Sequence, residues 1–326
     1  MSGSPDDRQT TAALSDLAVR GLVLDVHRAS LNDGPGLRTT VFLKGCPLRC
    51  AWCHNPESRS TRPQLGFDAA RCTACRSCES ACRQHVHSFP SPTAGNDARL
   101  HRIDWAACIA AGDCVTDCPS NALRLYGSER TVAEIMAEVR ADRTYYEVSG
   151  GGLTLSGGEP VAQPAFSLAL LRRARAEGIH TCLETCGFAP PGTFDAFRPL
   201  VDLFLFDYKA TGDARHRELT GVGPDLILGN LRRLHASGAS IQLRCPMIPD
   251  VNDTPEHFSG LAALRRELPG LNGIEILPFH ATGDFKYERI GLPVPSSRPV
   301  APDAGREAHW HRQLAAAIEG VGASQD

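Results

Sequence analysis

Gly45-Cys46-Pro47-Leu48-Arg49-Cys50-Ala51-Trp52-Cys53-His54-Asn55-Pro56-Glu57 carries three cysteines at C-x3-C-x2-C spacing, immediately after the apolar run 39–44. The run reads as a strand and the cysteines as the loop that leaves it. Three thiolates so spaced can hold three irons of a [4Fe-4S] cluster and leave the fourth iron open to a substrate. Electron-transfer clusters use four thiolates, and structural zinc closes its shell with four ligands. Zinc with His54 as fourth ligand is the alternative, because Cys/His spacings overlap between metals.

Outward from the triplet, residues 21–26 form a second early strand, joined to 39–44 through the tight turn Asn32-Asp33-Gly34-Pro35-Gly36. Strand-like runs recur at 153–156, 179–184, 203–207, 241–244 and 274–278, with helical segments between them. Thr131 and Glu134 have capping-box spacing before one helix, and Pro164 suits the first turn of another. This alternation implies a parallel sheet. About seven βα-type units are too few for a closed eight-strand barrel, so the fold class is α/β with a partial parallel (β/α) barrel.

Glu159, Glu184, Thr185, Asp207, Lys209, Arg244 and His280 all fall at C-terminal strand ends, the edge where such folds bind ligands. Singly, each reads as a solvated loop residue; in one register they read as a site. The glycine-rich run from Ser149 through Gly158 lacks the ending of a phosphate loop and the G-x-G-x-x-G pattern, which argues against nucleotide triphosphates and NAD. Glycines there let a ligand approach the backbone, and Glu159 can meet an ammonium group.

Between residues 66 and 125 hydrophobic periodicity gives way to cysteines. Cys72, Cys75, Cys78 and Cys82 have the bacterial ferredoxin spacing, in which the fourth cysteine serves the other cluster. The second group is incomplete: Cys108, Cys114 and Cys118 match, but Ala111 stands where a cysteine belongs. By crossed ligation Cys72, Cys75, Cys78 and Cys118 bind one complete auxiliary [4Fe-4S] cluster. Cys108, Cys114 and Cys82 are left with three thiolates for the other, either [3Fe-4S] or [4Fe-4S] with a non-cysteine ligand such as Asp113. Zinc remains the alternative in this segment also. Of the remaining cysteines, Cys182 and Cys245 read as buried small hydrophobes, and Cys186 stands close to the proposed site.

The net charge is −3, which gives no basic field for nucleic acid or anionic lipid. The polar, acidic N-terminus lacks the features of a secretory signal, and no apolar run reaches membrane-span length, so the expectation is a cytoplasmic protein without a membrane. Thirteen cysteines in a reducing compartment point to metal rather than disulfides. The expected organisation is a polar tail (1–20), a partial barrel (21–65 and 126–288), a ferredoxin-like insert (66–125), and a proline-rich segment with a C-terminal helix (289–326).

Taken in order, the Asp33-Gly34-Pro35-Gly36 turn, the cysteine triplet, Ser156-Gly157-Gly158-Glu159-Pro160, Glu184-Thr185-Cys186-Gly187, Asp207-Tyr208-Lys209, the 244–253 segment and Leu277-Pro278-Phe279-His280 resemble the radical S-adenosylmethionine (SAM) activating enzymes of glycyl radical enzymes. The likeness is to the longer members that carry a ferredoxin-like insertion, and it spans residues 23–287. It implies a radical SAM partial barrel in which Cys46, Cys50 and Cys53 hold the catalytic [4Fe-4S] cluster and the open iron takes SAM. Trp52 would lie by the adenine, Gly157, Gly158 and Glu159 would hold the methionine amino group, and Asp207, Lys209, Arg244 and His280 would complete the pocket. Glu184, Thr185 and Asp207 resemble the family's monovalent-cation site, and Asp33 would contact the glycyl loop of the partner. A monomer reduced by ferredoxin or flavodoxin, acting on a glycyl radical enzyme, is the implied arrangement. Three departures stand out: Ala111, Arg83 in place of the usual proline after Cys82, and the proline-rich stretch 293–302.

Overall fold

The computed structural model describes residues 15–90, 101–295 and 299–320. Residues 1–14 of the polar tail, most of the loop around Gly95 and the centre of the proline-rich stretch lie outside the described residues. Strands β1 (Arg20–Ser30) and β2 (Arg38–Leu43) open the chain, and β3 (Gln64–Phe67), β4 (His87–Ser88), β5 (Arg102–Ile103) and β6 (Leu123–Tyr126) belong to the cysteine-rich segment. Strands β7 (Ser128–Thr131), β8 (Gly152–Gly157), β9 (His180–Thr185), β10 (Leu203–Asp207), β11 (Ile241–Met247) and β12 (Gly273–Pro278) follow.

Eight strands form one sheet in the order β12-β11-β10-β9-β8-β2-β1-β7. From β2 to β12 each neighbour runs parallel, whereas β1 is antiparallel to both β2 and β7. The reading of residues 21–26 as a βα-type unit is therefore corrected. The turn that follows β1 is too short for a crossover and can only reverse the chain. Strand β7 carries no apolar alternation, being Ser-Glu-Arg-Thr on the sheet edge, and sequence patterning passed over it. Because the edge strands β7 and β12 do not pair with each other among the described residues, the six parallel strands form an open partial barrel.

Burial on both faces gives the parallel strands their near-continuous apolar character. Val41, Leu43, Leu153, Leu155, Leu183, Phe204, Phe206, Ile241 and Leu243 form the core with the helices that cover them. Each fully buried phenylalanine there contributes about 2 kcal/mol by burial. Helix Val132–Ala141 turns Val132, Ile135, Met136 and Val139 inward on one stripe, and the Thr131–Glu134 capping box closes its first turn. Pro164 opens helix Pro164–Ala176, and helix Ala304–Glu319 packs on Pro255–Glu267.

The cysteine-rich segment is built differently. Antiparallel pairing of β3 with β6 brings its two ends together, and β4 pairs with β5. Two single-turn helices, Ser77–Ala81 and Asp113–Thr116, pack on each other. Among its described residues the buried cluster is Leu65, Cys78, Cys114 and Leu123, half of it cysteine, with partly buried side chains such as Phe67, Phe89, Ile103 and Trp105 packed against it. So small an apolar core offsets little of the chain entropy that ordering costs.

Candidate active site

A cavity of about 620 Å³ opens at the C-terminal ends of the parallel strands. Cys46, Cys50, Trp52 and Cys53 form one wall, while Gly157, Gly158, Glu184, Thr185, Asp207, Lys209, Arg244 and His280 line the rest, with Asp33 at the rim. Strand register explains the convergence: Phe206 is level with Thr185 on one side, and Asp207 is level with Arg244 on the other.

The cysteine loop is tied down by backbone bonds at both ends. The Gly45 N–H donates to Ser58 O (2.7 Å) and the Cys46 N–H to Arg59 O (3.1 Å), while Arg49 and Ala51 donate to Thr220 O and Leu219 O (2.7 and 3.0 Å). Across from it, the Gly158 N–H donates to Leu43 O (2.8 Å) and the Glu159 N–H to Gly45 O (2.7 Å). Backbone meets backbone here, so side chains have no room: a Cβ at Gly158 would sit 2.4 Å from Gly45 O, and Gly157 holds φ +111°. The double glycine thus lets the two loops that flank the site touch.

Glu159 is not among the residues that line this cavity. Its carboxylate, 1% exposed, turns inward and accepts from Thr185 Oγ1 (2.8 Å), the Cys186 N–H (2.8 Å) and the Val161 N–H (3.2 Å). It ties the β8 loop to the β9 loop instead. Asp33 accepts from Ser30 Oγ (2.6 Å) and Thr40 Oγ1 (2.7 Å), and beneath its turn the fully buried Arg38 donates to Pro35 O (2.9 Å), Thr154 Oγ1 (2.6 Å) and Leu153 O (2.7 Å).

Opposite the cysteines, charges are paired but not saturated. Lys209 Nζ meets Asp207 Oδ2 at 2.8 Å; Arg244 donates to Glu184 Oε1 (3.0 Å) and Asn32 O (3.0 Å), and Ser156 Oγ donates to Glu184 Oε2 (2.6 Å). Burial pushes the Glu184 carboxyl up, and Arg244 opposes it. Burial also works against the Lys209 ammonium, yet Asp207 and the nearby thiols hold its pKa above the ordinary lysine value. Arg244 Nε stands 3.2 Å from Glu275 Oε2, while His54 Nε2 and Asp207 Oδ1 are buried on these walls without a hydrogen-bond partner among the described residues. Such groups are costly unless a polar ligand meets them, and a zwitterionic sulfonium ligand fits that donor and acceptor set.

A tetrahedral zinc holds its sulfurs about 3.8 Å apart. Among the described residues, the one such group with its ligand atoms all within 4.8 Å is Cys78, His87 and His101, not the triplet with His54. His54 instead packs against Phe279 and His280, ring centroids 5.5 and 5.6 Å away. Burial pushes the Cys50 thiol up to about 12, against Lys209. Cys46 is lowered, first by a hydrogen bond from Cys186, whose own thiol that same bond holds well above its ordinary value. Cys182 and Cys245 are fully buried within strands.

In the cysteine-rich segment, Cys72, Cys75, Cys78 and Cys118 line one small hollow with Phe67, Phe89 and His101. Cys82, Cys108 and Cys114 line another with Ala111 and Asp113, whose carboxylate stands 3.7 Å from Arg83 Nε. His101 lies 3.7 Å from Cys72 Sγ and 3.8 Å from Cys78 Sγ, and pairs with His87 at 2.9 Å.

Three residues of the site escaped sequence reasoning. Arg38, Arg59 and Asn252 act from beneath the cavity through backbone carbonyls, and nothing in residue type or spacing marks them. Asn252 donates to Lys209 O (2.9 Å) and Pro246 O (2.7 Å) and so pins the loop after β11. Cys186 was noticed as near, but its pairing with Cys46 depends on tertiary packing.

A family model described as a 4Fe-4S single cluster domain matches residues 32–195. The chain is 42% identical over 291 residues to an isethionate sulfite-lyase activating enzyme of Nitratidesulfovibrio vulgaris, covering 87% of this chain and 92% of that one. It is 38% identical to a choline trimethylamine-lyase activating enzyme of Oleidesulfovibrio alaskensis, covering 88% and 93%, and 36% identical to a benzylsuccinate synthase activating enzyme of Thauera aromatica, covering 83% and 82%. Streptococcus suis SuiB bound to its precursor peptide shares the fold at 11% identity, with a TM-score of 0.51 over 84% of this chain and 44% of that one. Extensive identity across nearly the whole chain, together with a cysteine wall facing a polar pocket at the strand ends, makes this chain a member of the radical SAM family of glycyl radical enzyme activating enzymes.

Proposed function

We propose that this chain carries out the family's reaction in the 620 Å³ cavity, with Cys46, Cys50 and Cys53 as the three protein ligands of the [4Fe-4S] cluster. When bound, the reduced cluster supplies one electron to the sulfonium of SAM, giving methionine and a 5′-deoxyadenosyl radical that takes hydrogen from a glycine of a partner enzyme. The observation that carries this reading is the convergence of the cysteine wall with polar strand ends around partnerless buried polar atoms.

Within that reading, Gly157 and Gly158 offer bare backbone to the methionine end of SAM, and Glu159 holds their loop rather than the ligand. Trp52 flanks the adenine, and Asp207, Lys209, Arg244 and His280 orient the rest. Asp207 Oδ1, without a partner, supports a monovalent-cation site shared with Glu184 and Thr185. The Arg38-braced turn presents Asp33 to the partner's glycyl loop. No side chain needs to move a proton, so exclusion of water and orientation are the protein's share. Reconstituted enzyme with dithionite and SAM should release 5′-deoxyadenosine, and Cys50→Ala should release none; release by the variant at the parent rate would refute the ligand assignment.

The grouping of cysteines into two hollows supports one auxiliary [4Fe-4S] cluster at Cys72, Cys75, Cys78 and Cys118, and a three-thiolate cluster at Cys82, Cys108 and Cys114, with Asp113 as a candidate fourth ligand. These clusters would relay electrons from a ferredoxin or flavodoxin to a monomeric activase. Iron counts and paramagnetic resonance on a variant lacking Cys46, Cys50 and Cys53 test the assignment, which full cysteinyl ligation of eight irons would contradict. No described helix is long and apolar enough to cross a membrane.

A further inference from the structure

Arg59 touches all three arms of the catalytic cysteine loop. Its carbonyl accepts the Cys46 N–H at 3.1 Å. Its guanidinium donates to Cys50 O at 2.7 Å and to the Tyr287 hydroxyl at 3.0 Å, and that hydroxyl in turn donates to Cys53 O at 3.2 Å. The charged group lies 5.5 Å from the Tyr287 ring centroid, and its Nε is buried without a hydrogen-bond partner. Among the described residues no carboxylate pairs with it, unlike Lys209 or Arg244, whose charges Asp207 and Glu184 offset.

We propose that Arg59 sets the reduction potential of the catalytic cluster: its uncompensated positive charge, clamped against the Cys50 and Cys53 arms through Tyr287, stabilises the extra electron of the reduced state. Adding one electron to a cluster with three thiolates increases its negative charge. A fixed cation in a low-dielectric surround lowers the cost of that step, and charge and hydrogen bonding near the cysteine sulfurs are the protein's levers on cluster potential.

The clamp has a second anchor. Tyr287 lies on helix Asp284–Arg289, which is held to the loop after the triplet by Lys286, donating to Asn55 Oδ1 at 2.7 Å and meeting Glu57 Oε1 at 2.9 Å. The same helix reaches the cysteine-rich segment through Arg289 and Asp68, 2.5 Å apart. Arg59 is thus a positioning residue on a rigid strut rather than a mobile surface charge.

The proposal rests on Cys46, Cys50 and Cys53 as cluster ligands; if that assignment fails, wild-type protein shows no paramagnetic signal that changes when SAM is added. With such a signal in hand, its potential is followed by redox titration, which selects the catalytic cluster over any other. Arg59→Gln should shift the midpoint to more negative potential at unchanged iron content, and Arg59→Lys should keep it near wild type. An unchanged midpoint in Arg59→Gln would overturn the proposal. If Arg59→Gln loses iron, Tyr287→Phe decides: a negative shift supports the clamp, and an unchanged midpoint refutes it.

Discussion

The parallel sheet and the cysteine-rich segment solve the same problem, holding sulfur in place, by opposite means. In the sheet, an apolar core rich in Phe, Leu and Ile forms the scaffold, and the cysteine loop is an addition at its edge. In the segment, the cysteines are half of the buried cluster. A site built on strand ends draws its geometry from that core. A segment whose interior is thiol depends on what the thiols bind, as small metal-stabilised domains do.

That contrast can be broken most sharply at the catalytic triplet. Cys50→Ala should abolish SAM cleavage while leaving the thermal unfolding midpoint of the sheet within a few degrees, because one loop cysteine adds little to the core; loss of the fold as well would erase the distinction. Iron chelation comes next. Hydrogen exchange should rise in residues 66–90 and 101–125 while β8 to β11 stay protected, and uniform exchange would mean that the segment has a sufficient core of its own.

Three smaller effects concern the sheet and the helices that cover it. Gly158→Ala places a Cβ against Gly45 O, so stability should fall by roughly 3 kcal/mol with SAM affinity reduced as the loops part, measurable by denaturant titration. Burial lowers the His257 pKa to about 4 from 6.5. The unfolded chain therefore binds a proton that the folded chain refuses. Stability should fall as pH drops below 6.5 and level off near 4, a loss of up to about 3 kcal/mol. His257→Gln should flatten that part of the profile; an identical slope would remove the assignment. Least of all, Thr131→Ala should cost about 1 kcal/mol through its capping box.

Much of the strand-end site was legible because register converts spacing into position. Asp207 and Arg244 fall level on neighbouring strands since each ends an apolar run, and both runs show in the sequence. The orientation of Glu159 was not legible for the complementary reason: residue type gives a carboxylate, but only packing against Thr185 and Cys186 shows that it faces inward. Strand β7 was missed since an edge strand needs no apolar alternation, and β1 was miscounted as parallel although its short turn already required reversal.

The chain alone carried its chemistry: cysteine spacing, glycine pairs and apolar periodicity are local, and local steric and coordination rules suffice to read them. Ala111 likewise marks the incomplete thiolate set without any coordinates. Which groups lie beneath the site was left to the tertiary structure. Arg59 and Tyr287 are 228 positions apart, and Arg38, Cys186 and Asn252 act through backbone or sulfur atoms brought near only by packing. Long-range contacts of this kind follow from how helices and strands fill space, and no short stretch of sequence encodes them.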